Sequence, residues 1–326
     1  MDKLKVAVLM GGKSSEREVS LSTGKMILKA LDPAKYATIA VDTGATAEVD
    51  TKSGIVGLRD IIGNRAGFRP DVAFIALHGK YGEDGTVQGL LELLGIPYIG
   101  SGVLASALAM DKIMARKVLD YEGIPIPKGI SVKSPEEARG IISTVEKDLG
   151  YPVVVKPNRQ GSTIGLSIAH NAAEYESSIE LAFKHDDDVL LEQFISGVEI
   201  TCPVLGNDDA ESLPIIEIVP QSGFYDYHDK YTDGATKHIV PARLSENVYR
   251  MAQELALACH KVLGCRGMSR TDMIVRGEEI FILEVNTIPG MTPTSLLPHS
   301  AQAAGIGFSE LLDRLIEYAL SGGRGQ

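Results

Sequence analysis

Four residues able to handle metal and phosphate recur at alternate positions in the segment Arg270-Thr271-Asp272-Met273-Ile274-Val275-Arg276-Gly277-Glu278-Glu279-Ile280-Phe281-Ile282-Leu283-Glu284-Val285-Asn286. Two β-rich runs flank a Gly-containing turn, the pattern of a β-hairpin. A three-residue connection, Gly277 to Glu279, sets Asp272 opposite Glu284 and Arg270 opposite Asn286. All four then share one face, because strand side chains alternate with period two. Like charges directly opposite destabilise a sheet, whereas hard oxygen ligands at cross-strand distance suit Mg²⁺ held together with substrate phosphates. A solvated acidic face is the competing reading. The same register puts Ile274, Ile280 and Ile282 with the charges, and Met273, Val275, Phe281, Leu283 and Val285 on the other face. A strand apolar on both faces is covered on both sides, so the acids are expected in a partly enclosed place where they need a cation.

Three further segments carry candidate chemistry. The loop Gly11-Gly12-Lys13-Ser14-Ser15-Glu16-Arg17-Glu18 follows a strand and opens a helix, where α/β sheets bind ligands, but it lacks the GxGxxG spacing of a dinucleotide site. Ser15 with Glu18 reads as a capping box, with Glu16 in the first turn either as a dipole partner or as a counter-ion for an ammonium group. Lys156-Pro157-Asn158-Arg159-Gln160-Gly161-Ser162-Thr163-Ile164-Gly165 sets a Lys at a strand end before a Gly-and-hydroxyl loop. Such a loop either offers N–H groups and hydroxyls to phosphate or is a plain turn; it is no Walker A motif. Glu192 and Glu199 flank a strand end, facing solvent or receiving ribose hydroxyls. His78, in Leu77-His78-Gly79, is by itself more often a structural residue.

These residues need a scaffold, and the chain supplies strands alternating with helices. Lys5 to Met10, Thr38 to Asp42, Val72 to Leu77 and Tyr98 to Ile99 read as strands of a mainly parallel sheet. Helices are predicted after Ser15, over Thr86 to Leu94 with Gly95 as stop, and over Leu104 to Tyr121. Ser134-Pro135-Glu136-Glu137 is a capping box with Pro at the first helical position. Strands follow at Val153 to Lys156, Leu166 to Ala169, Val189 to Phe194, Ile200 to Leu205 and Ile215 to Val219. A polar loop from Ser222 to Lys237, a helix Glu246 to Leu263, the hairpin, a helix Ser309 to Leu320 and a fraying end from Ser321 complete the chain.

Composition narrows the function. The 326 residues are 44% hydrophobic and 23% charged, an ordinary globular composition with length for two or three domains. A net charge of −11 without any basic run argues against nucleic acid as partner. Cys202, Cys259 and Cys265 form no CxxC pattern and are odd in number, which fits a reducing compartment. The apolar run at the start is too short for a signal segment and none is long enough for a membrane span, so a cytoplasmic protein is expected.

Taken in order, the segments resemble one family, the D-alanine–D-alanine ligases of the ATP-grasp superfamily, over nearly the whole chain. The resemblance rests on GGKSSEREVSLSTG, ALHGKYGEDG, SALAMDK, VVVKPNRQGSTIGL, LLEQFISGVEIT, FYDYHDKY, GCRGMSRTDM and LEVNTIPGMTPTSLLPHS. It implies an α/β (α+β) ATP-grasp fold behind a Rossmann-like domain: residues 1–105 as the pre-ATP-grasp unit, 106–190 as a small central unit, and 191–326 as the catalytic unit, with ATP between the last two. It implies that ATP phosphorylates one D-alanine and the amine of a second attacks the acyl phosphate, giving a dipeptide for peptidoglycan, and hence for cell wall and cell shape.

The resemblance also implies residue roles. Asp272, Glu284 and Asn286 hold two Mg²⁺ ions, with Mn²⁺ as a substitute. Lys112, Lys156 and Lys230 contact phosphates. Glu192 and Glu199 take the adenine amine and the ribose, and Phe281 joins the ATP contacts. Backbone around Gln193, Phe194 and Ile195 reads the adenine edge; Phe194 stands where a larger aromatic can occur, and a chain without Trp is expected to pack adenine less tightly. Glu16 pairs with the first substrate's ammonium, with Ser162 and Tyr231 bonded to it as the loops close, and His78 lies nearby. Arg270 and the Gly290 amide stabilise the oxyanion. Ser295 and Leu296 bind the second substrate's carboxylate. A homodimer is the usual family assembly. Related ligases that take D-lactate or D-serine are the near alternative, disfavoured by Lys230-Tyr231. A nucleotide-binding module without turnover is the distant one, disfavoured by the presence of Arg270, Asp272, Glu284 and Asn286. A dehydrogenase built on the first loop is a third.

Overall fold

The computed structural model describes residues 3–44, 55–58, 68–220, 236–292 and 295–321. Val6 to Met10 are apolar in succession and all buried, so β1 (Leu4–Met10) is covered on both faces. The helix α1 (Arg17–Ala30) buries Ser20, Thr23, Gly24 and Ile27, a stripe at three- and four-residue spacing. β1 pairs in parallel with β2 (Tyr36–Asp42) and β4 (Val72–Ile75), while β3 (Ile55–Gly57) lies outside β2. The order β3-β2-β1-β4 is the parallel sheet that the alternation of elements predicts.

The start of α1 departs from the reading of Ser15 and Glu18 as a capping box. Glu16 occupies the N-cap without a side-chain cap. Ser14 Oγ accepts the Glu16 N–H at 3.3 Å and donates to the His78 carbonyl at 2.8 Å, so the neighbouring hydroxyl fixes the entry. Next come α2 (Thr86–Leu93), α3 (Val103–Met110) and α4 (Lys112–Tyr121). The single helix predicted over Leu104 to Tyr121 is thus two. Asp111 adopts an extended conformation and caps α4 by accepting the Met114 N–H at 3.0 Å. The break puts Lys112 at the first residue of a helix.

The second sheet comprises β5 (Gly129–Val132), β6 (Val153–Pro157), β7 (Ser167–Ala169) and β8 (Val189–Gln193), antiparallel in the order β5-β8-β6-β7. Its helices are α5 (Pro135–Gly140), α6 (Ile142–Asp148) and α7 (Ala172–Ala182). Ser134 caps α5 as its sequence predicts, accepting from the Glu137 N–H. Val132, Val153, Tyr175, Ile179 and Leu191 form the core. A boundary after residue 190 falls inside β8: Leu191 to Gln193 still pair with β6, so this unit runs to Gln193.

The third sheet is antiparallel, with β9 (Val198–Gly206), β10 (Glu211–Ser212), β11 (Ile216–Pro220), β12 (Thr236–Ile239), β13 (Gly267–Arg276) and β14 (Glu279–Asn286). The order is β12-β11-β9-β13-β14, with β10 on β9. Thr236 and Lys237, expected at the end of the polar loop, start β12; residues 222–235 of that loop, and the fraying end beyond Ser321, lie outside the described residues. Helix α8 (Glu246–Val262) packs Val248, Ala252, Ala256 and Cys259 on this sheet. All three cysteines are buried and unbridged. Two helices, α9 (Leu296–Ala303) and α10 (Phe308–Ser321), end the described chain. Leu297, Leu311, Leu312 and Leu315 share a core with Val6, Val8 and Phe74, so the C-terminal helices close the first sheet.

His260 of α8 lies buried with Nδ1 2.7 Å from Ser269 Oγ, and burial pushes its imidazole from 6.5 down to about 4. Below 6.5 the unfolded chain takes up this proton first, so the group's contribution is whole above 6.5 and lost as pH falls towards about 4. We expect His260→Gln to flatten part of the fall in melting temperature across that window. An unchanged pH profile in the variant would contradict this.

Candidate active site

The hairpin departs from the predicted geometry at its turn and in its middle. Arg276 pairs with Glu279, so the connection is the two residues Gly277 and Glu278, with Gly277 at a φ of 64° that favours glycine. The register then shifts between Asp272 and Met273, with Leu283 as the extra residue. The bulge restores the pairs Asp272 with Glu284 and Arg270 with Asn286 that a longer turn would also give. It also exchanges faces: Ile280 and Ile282 join Met273, Val275 and Val285 in the core, while Leu283 turns to the face of Ile274 and Glu284. Phe281 shares that outer face, but its ring lies under Arg276 at 5.0 Å and it lines neither cavity described below.

Asp272 is nearly buried and saturated with donors. Arg270 grips it with Nε at 2.9 Å and Nη2 at 2.8 Å, Asn286 Nδ2 donates at 3.1 Å, and Thr201 Oγ1 donates at 2.5 Å. Thr201 is its register partner on the third strand, β9. Truncating one partner of such a pair leaves a buried charge uncompensated, at about 3–5 kcal/mol. Across the hairpin, Glu284 lies 3.5 Å from Lys112 Nζ, which also donates to the Gln160 carbonyl at 2.7 Å.

A cavity of about 460 Å³ opens between the second and third sheets. Lys112, Lys156, Ser162, Glu192, Gln193, Phe194, Ile195, Glu199, Asp272 and Glu284 line it. Lys156 pairs with Glu192, and Arg116 reaches the same carboxylate. Arg116 escaped the sequence reading, although its place one helical turn after Lys112 was the available signal. Thr201 could not be found without the strand register.

A smaller cavity, about 110 Å³, adjoins the first, and Ser162 and Glu284 line both. Its wall brings together Glu16, His78, Arg270 and, from the run after the hairpin, Asn286, Gly290, Ser295 and Leu296. Ser162 Oγ donates to Glu16 Oε1. His78 lies 3.2 Å from Thr23 Oγ1, and burial holds its imidazole below the usual range, with Glu16 opposing and Arg270 reinforcing the shift. Ser295 Oγ accepts the Thr292 N–H at 3.0 Å. Glu83, missed from the sequence, lines this cavity; burial pushes its carboxyl up to about 8, with the charge of Glu16 adding to the effect. Lys230 and Tyr231 lie outside the described residues.

Ser162 and Thr163 hold φ values of 49° and 59°, left-handed for residues with a Cβ. Such strain costs about 1–3 kcal/mol per residue and persists where the surroundings over-determine it. The surroundings are the loop's root. Asn158 Oδ1 accepts the Ile113 N–H, and Arg159 binds Asp111, Asp186 and Asp188. The donor set on the hairpin, two carboxylates and one carboxamide oxygen, is hard and fits Mg²⁺. Among the described residues no group of three His, Cys, Asp or Glu could hold a metal, so any ion here would draw further ligands from water or phosphate.

Comparison with solved structures defines the class. The chain superposes on a D-alanine–D-alanine ligase from Bacillus anthracis solved with ATP, at TM-score 0.81 and 39% identity over 98% of each chain. It also superposes on a VanG D-Ala:D-Ser ligase from Enterococcus faecalis, at 0.83 and 36% over 98% of this chain and all of that one (100%). The fold is therefore ATP-grasp. Models of the D-ala D-ala ligase C-terminus and N-terminus match residues 118–317 and residues 5–54 and 45–101. D-alanine–D-alanine ligases of Pelotomaculum thermopropionicum and Desulforamulus reducens are each 48% identical, over 97% of this chain and 97% and 99% of theirs. The chain belongs to the D-alanine–D-alanine ligase family.

The clamp on the loop can be tested apart from any activity. Arg159→Ala should speed amide hydrogen exchange at Gly161 to Gly165 by about tenfold, equivalent to about 1.4 kcal/mol for a three-carboxylate network. Exchange unchanged in that segment would show that Arg159 does not hold it.

Proposed function

We propose that this chain joins two molecules of D-alanine at the expense of ATP, the reaction named in its relatives, to supply D-alanyl-D-alanine for peptidoglycan. The observation that carries the reading is that two cavities of unequal size meet on the charged face of one hairpin. The larger, bounded by Lys112, Lys156 and Glu192, takes ATP; the smaller, bounded by Glu16 and Arg270, takes the amino acids. Their junction at Ser162 and Glu284 is where a γ-phosphoryl group and a carboxylate can meet.

The chemistry proceeds in two balanced steps. A carboxylate oxygen of the first D-alanine attacks the γ-phosphorus, forming an acyl phosphate and ADP. The amine of the second attacks the acyl carbon, the C–O bond to phosphate breaks, and phosphate leaves as the amine loses a proton. Lys112 and Lys156 offset the phosphate charge. Glu16 accepts the ammonium of the first substrate, held in place by Ser162 and, in this reading, Tyr231, with His78 alongside as a neutral ring. Arg270 and the Gly290 N–H serve the tetrahedral oxyanion, a term worth about 3–4 kcal/mol per donor. Ser295, at the N-terminus of α9, and Leu296 receive the carboxylate of the second substrate. Glu199 takes the ribose, backbone at Gln193 to Ile195 the adenine edge, and Lys230 a phosphate. Asp272, Glu284 and Asn286 would hold two Mg²⁺ ions, or Mn²⁺, which when bound would supply neutralisation of phosphate charge. Closure over the site excludes water that would hydrolyse the acyl phosphate. We read the working form as a cytoplasmic homodimer; among the described residues no helix is long and apolar enough to cross a membrane.

Supplied with ATP and D-alanine, alone or together with D-serine or D-lactate, the enzyme should yield D-alanyl-D-alanine with one ADP per dipeptide, read by mass spectrometry. A depsipeptide, a mixed serine product or no ADP would overturn the assignment. Glu284→Gln and Arg270→Lys should each lower D-alanine-dependent ADP release by about hundredfold or more, because neither a carboxamide nor a single ammonium reproduces the lost group. Near wild-type turnover in either would contradict the roles given.

A further inference from the structure

Helix α4 carries two cations on one face, four residues apart. Lys112 reaches towards Glu284 at the hairpin end of the larger cavity. Arg116 instead serves Glu192, a carboxylate on the wall of the same cavity. Its Nη1 donates to Glu192 Oε1 at 2.5 Å and its Nη2 to the Pro127 carbonyl at 2.6 Å. Lys156 takes Oε2 of the same carboxylate. The side chain of Glu192 is 3% exposed and that of Arg116 12%, so this is a desolvated carboxylate gripped from two sides.

What admits the guanidinium is Gly129. It is the register partner of Glu192 in the antiparallel pair of β5 and β8. A Cβ at this position would lie 2.7 Å from Arg116 Nη2, 3.1 Å from its Cζ and 3.1 Å from the Leu191 carbonyl oxygen, so the guanidinium is the nearest group it meets. Its backbone lies outside the left-handed region, so alanine here would encounter a filled slot and no dihedral penalty.

We propose that Arg116, seated in the slot left by Gly129, is a positioning residue that fixes Glu192 for the 6-amino group of adenine and so sets the preference for adenine over guanine nucleotides. The inference rests on reading the larger cavity as the ATP site. Adenine presents an N–H donor at position 6, which a carboxylate accepts. Guanine presents a carbonyl oxygen there, which a carboxylate repels. A planar, two-pronged donor tied also to the Pro127 carbonyl fixes the carboxylate's orientation; the flexible stem of Lys156 alone does not. Arg116 touches no substrate and acts only through Glu192.

The test is steady-state kinetics of the full-length enzyme with D-alanine and either ATP or GTP. Arg116→Ala should raise KM for ATP by about tenfold or more, in line with the loss of a hydrogen bond to a charged group. It should shrink the ATP-to-GTP ratio of kcat/KM by a similar factor, with kcat and the KM for D-alanine unmoved. Arg116→Lys should fall between. Gly129→Ala, which keeps every charge, should shift the ratio in the same direction, and it carries the test by itself if Arg116→Ala does not fold. Added to Arg116→Ala, it should change little further, since no guanidinium remains to displace. A wild-type ATP-to-GTP ratio in Arg116→Ala or in Gly129→Ala, or additive effects in the double variant, would overturn the proposal. Wild-type turnover with ATP and D-alanine tests the parent reading separately, and titration of each variant with ATP and GTP by fluorescence reads base preference whether or not turnover occurs.

Discussion

Two carboxylates facing each other across β13 and β14 are the constraint around which the rest is organised. Directly opposed like charges on a sheet cost roughly 0.2–1 kcal/mol before desolvation, and Asp272 is largely out of water besides. The chain answers with cations and donors brought from elsewhere: Arg270 on the same strand, Lys112 from the head of α4, and Thr201 from β9. Each must arrive in register. The break at Asp111 that starts α4, the bulge at Leu283 and the pairing of β13 with β9 are therefore parts of one electrostatic solution.

The same logic extends outward from the hairpin. Glu192 is sandwiched by Lys156 and Arg116, and Arg159 is ringed by Asp111, Asp186 and Asp188. Asp111 joins two of these systems, since its Oδ1 caps α4 while its Oδ2 binds Arg159. The helix that aims Lys112 is thereby tied to the root of the loop that carries Ser162. Strain at Ser162 and Thr163 is held by that root, and it is the strained end that reaches Glu16 across the mouth of the smaller cavity.

The parallel sheet of the first unit was legible because buried strands there are apolar throughout, and the cross-strand pairs of the hairpin because alternation of residue types leaves few registers. The faces of Ile280, Ile282 and Leu283 were not legible: a two-residue turn with a bulge gives the same pairing near Asp272 as a three-residue turn without one, and the two differ only beyond it. Helix α9 was missed since Leu296, Leu297 and Pro298 show no amphipathic period. Thr201 and Arg116 act across sheets, a distance that one-dimensional spacing does not encode. Motif resemblance supplied the residues of the smaller cavity, which no local pattern connects, since Glu16, His78, Ser162, Gly290 and Ser295 meet only in three dimensions.

The paired acids on this hairpin are proposed to meet a divalent ion and a nucleotide together. The direct measurement is titration of Mn²⁺ into the protein with and without ADP, with free Mn²⁺ followed by electron paramagnetic resonance. Tight binding is expected only when nucleotide is present, with an affinity weaker by about tenfold or more in Glu284→Gln at an unchanged melting temperature. Nucleotide-dependent Mn²⁺ binding that is identical in wild type and Glu284→Gln would contradict it.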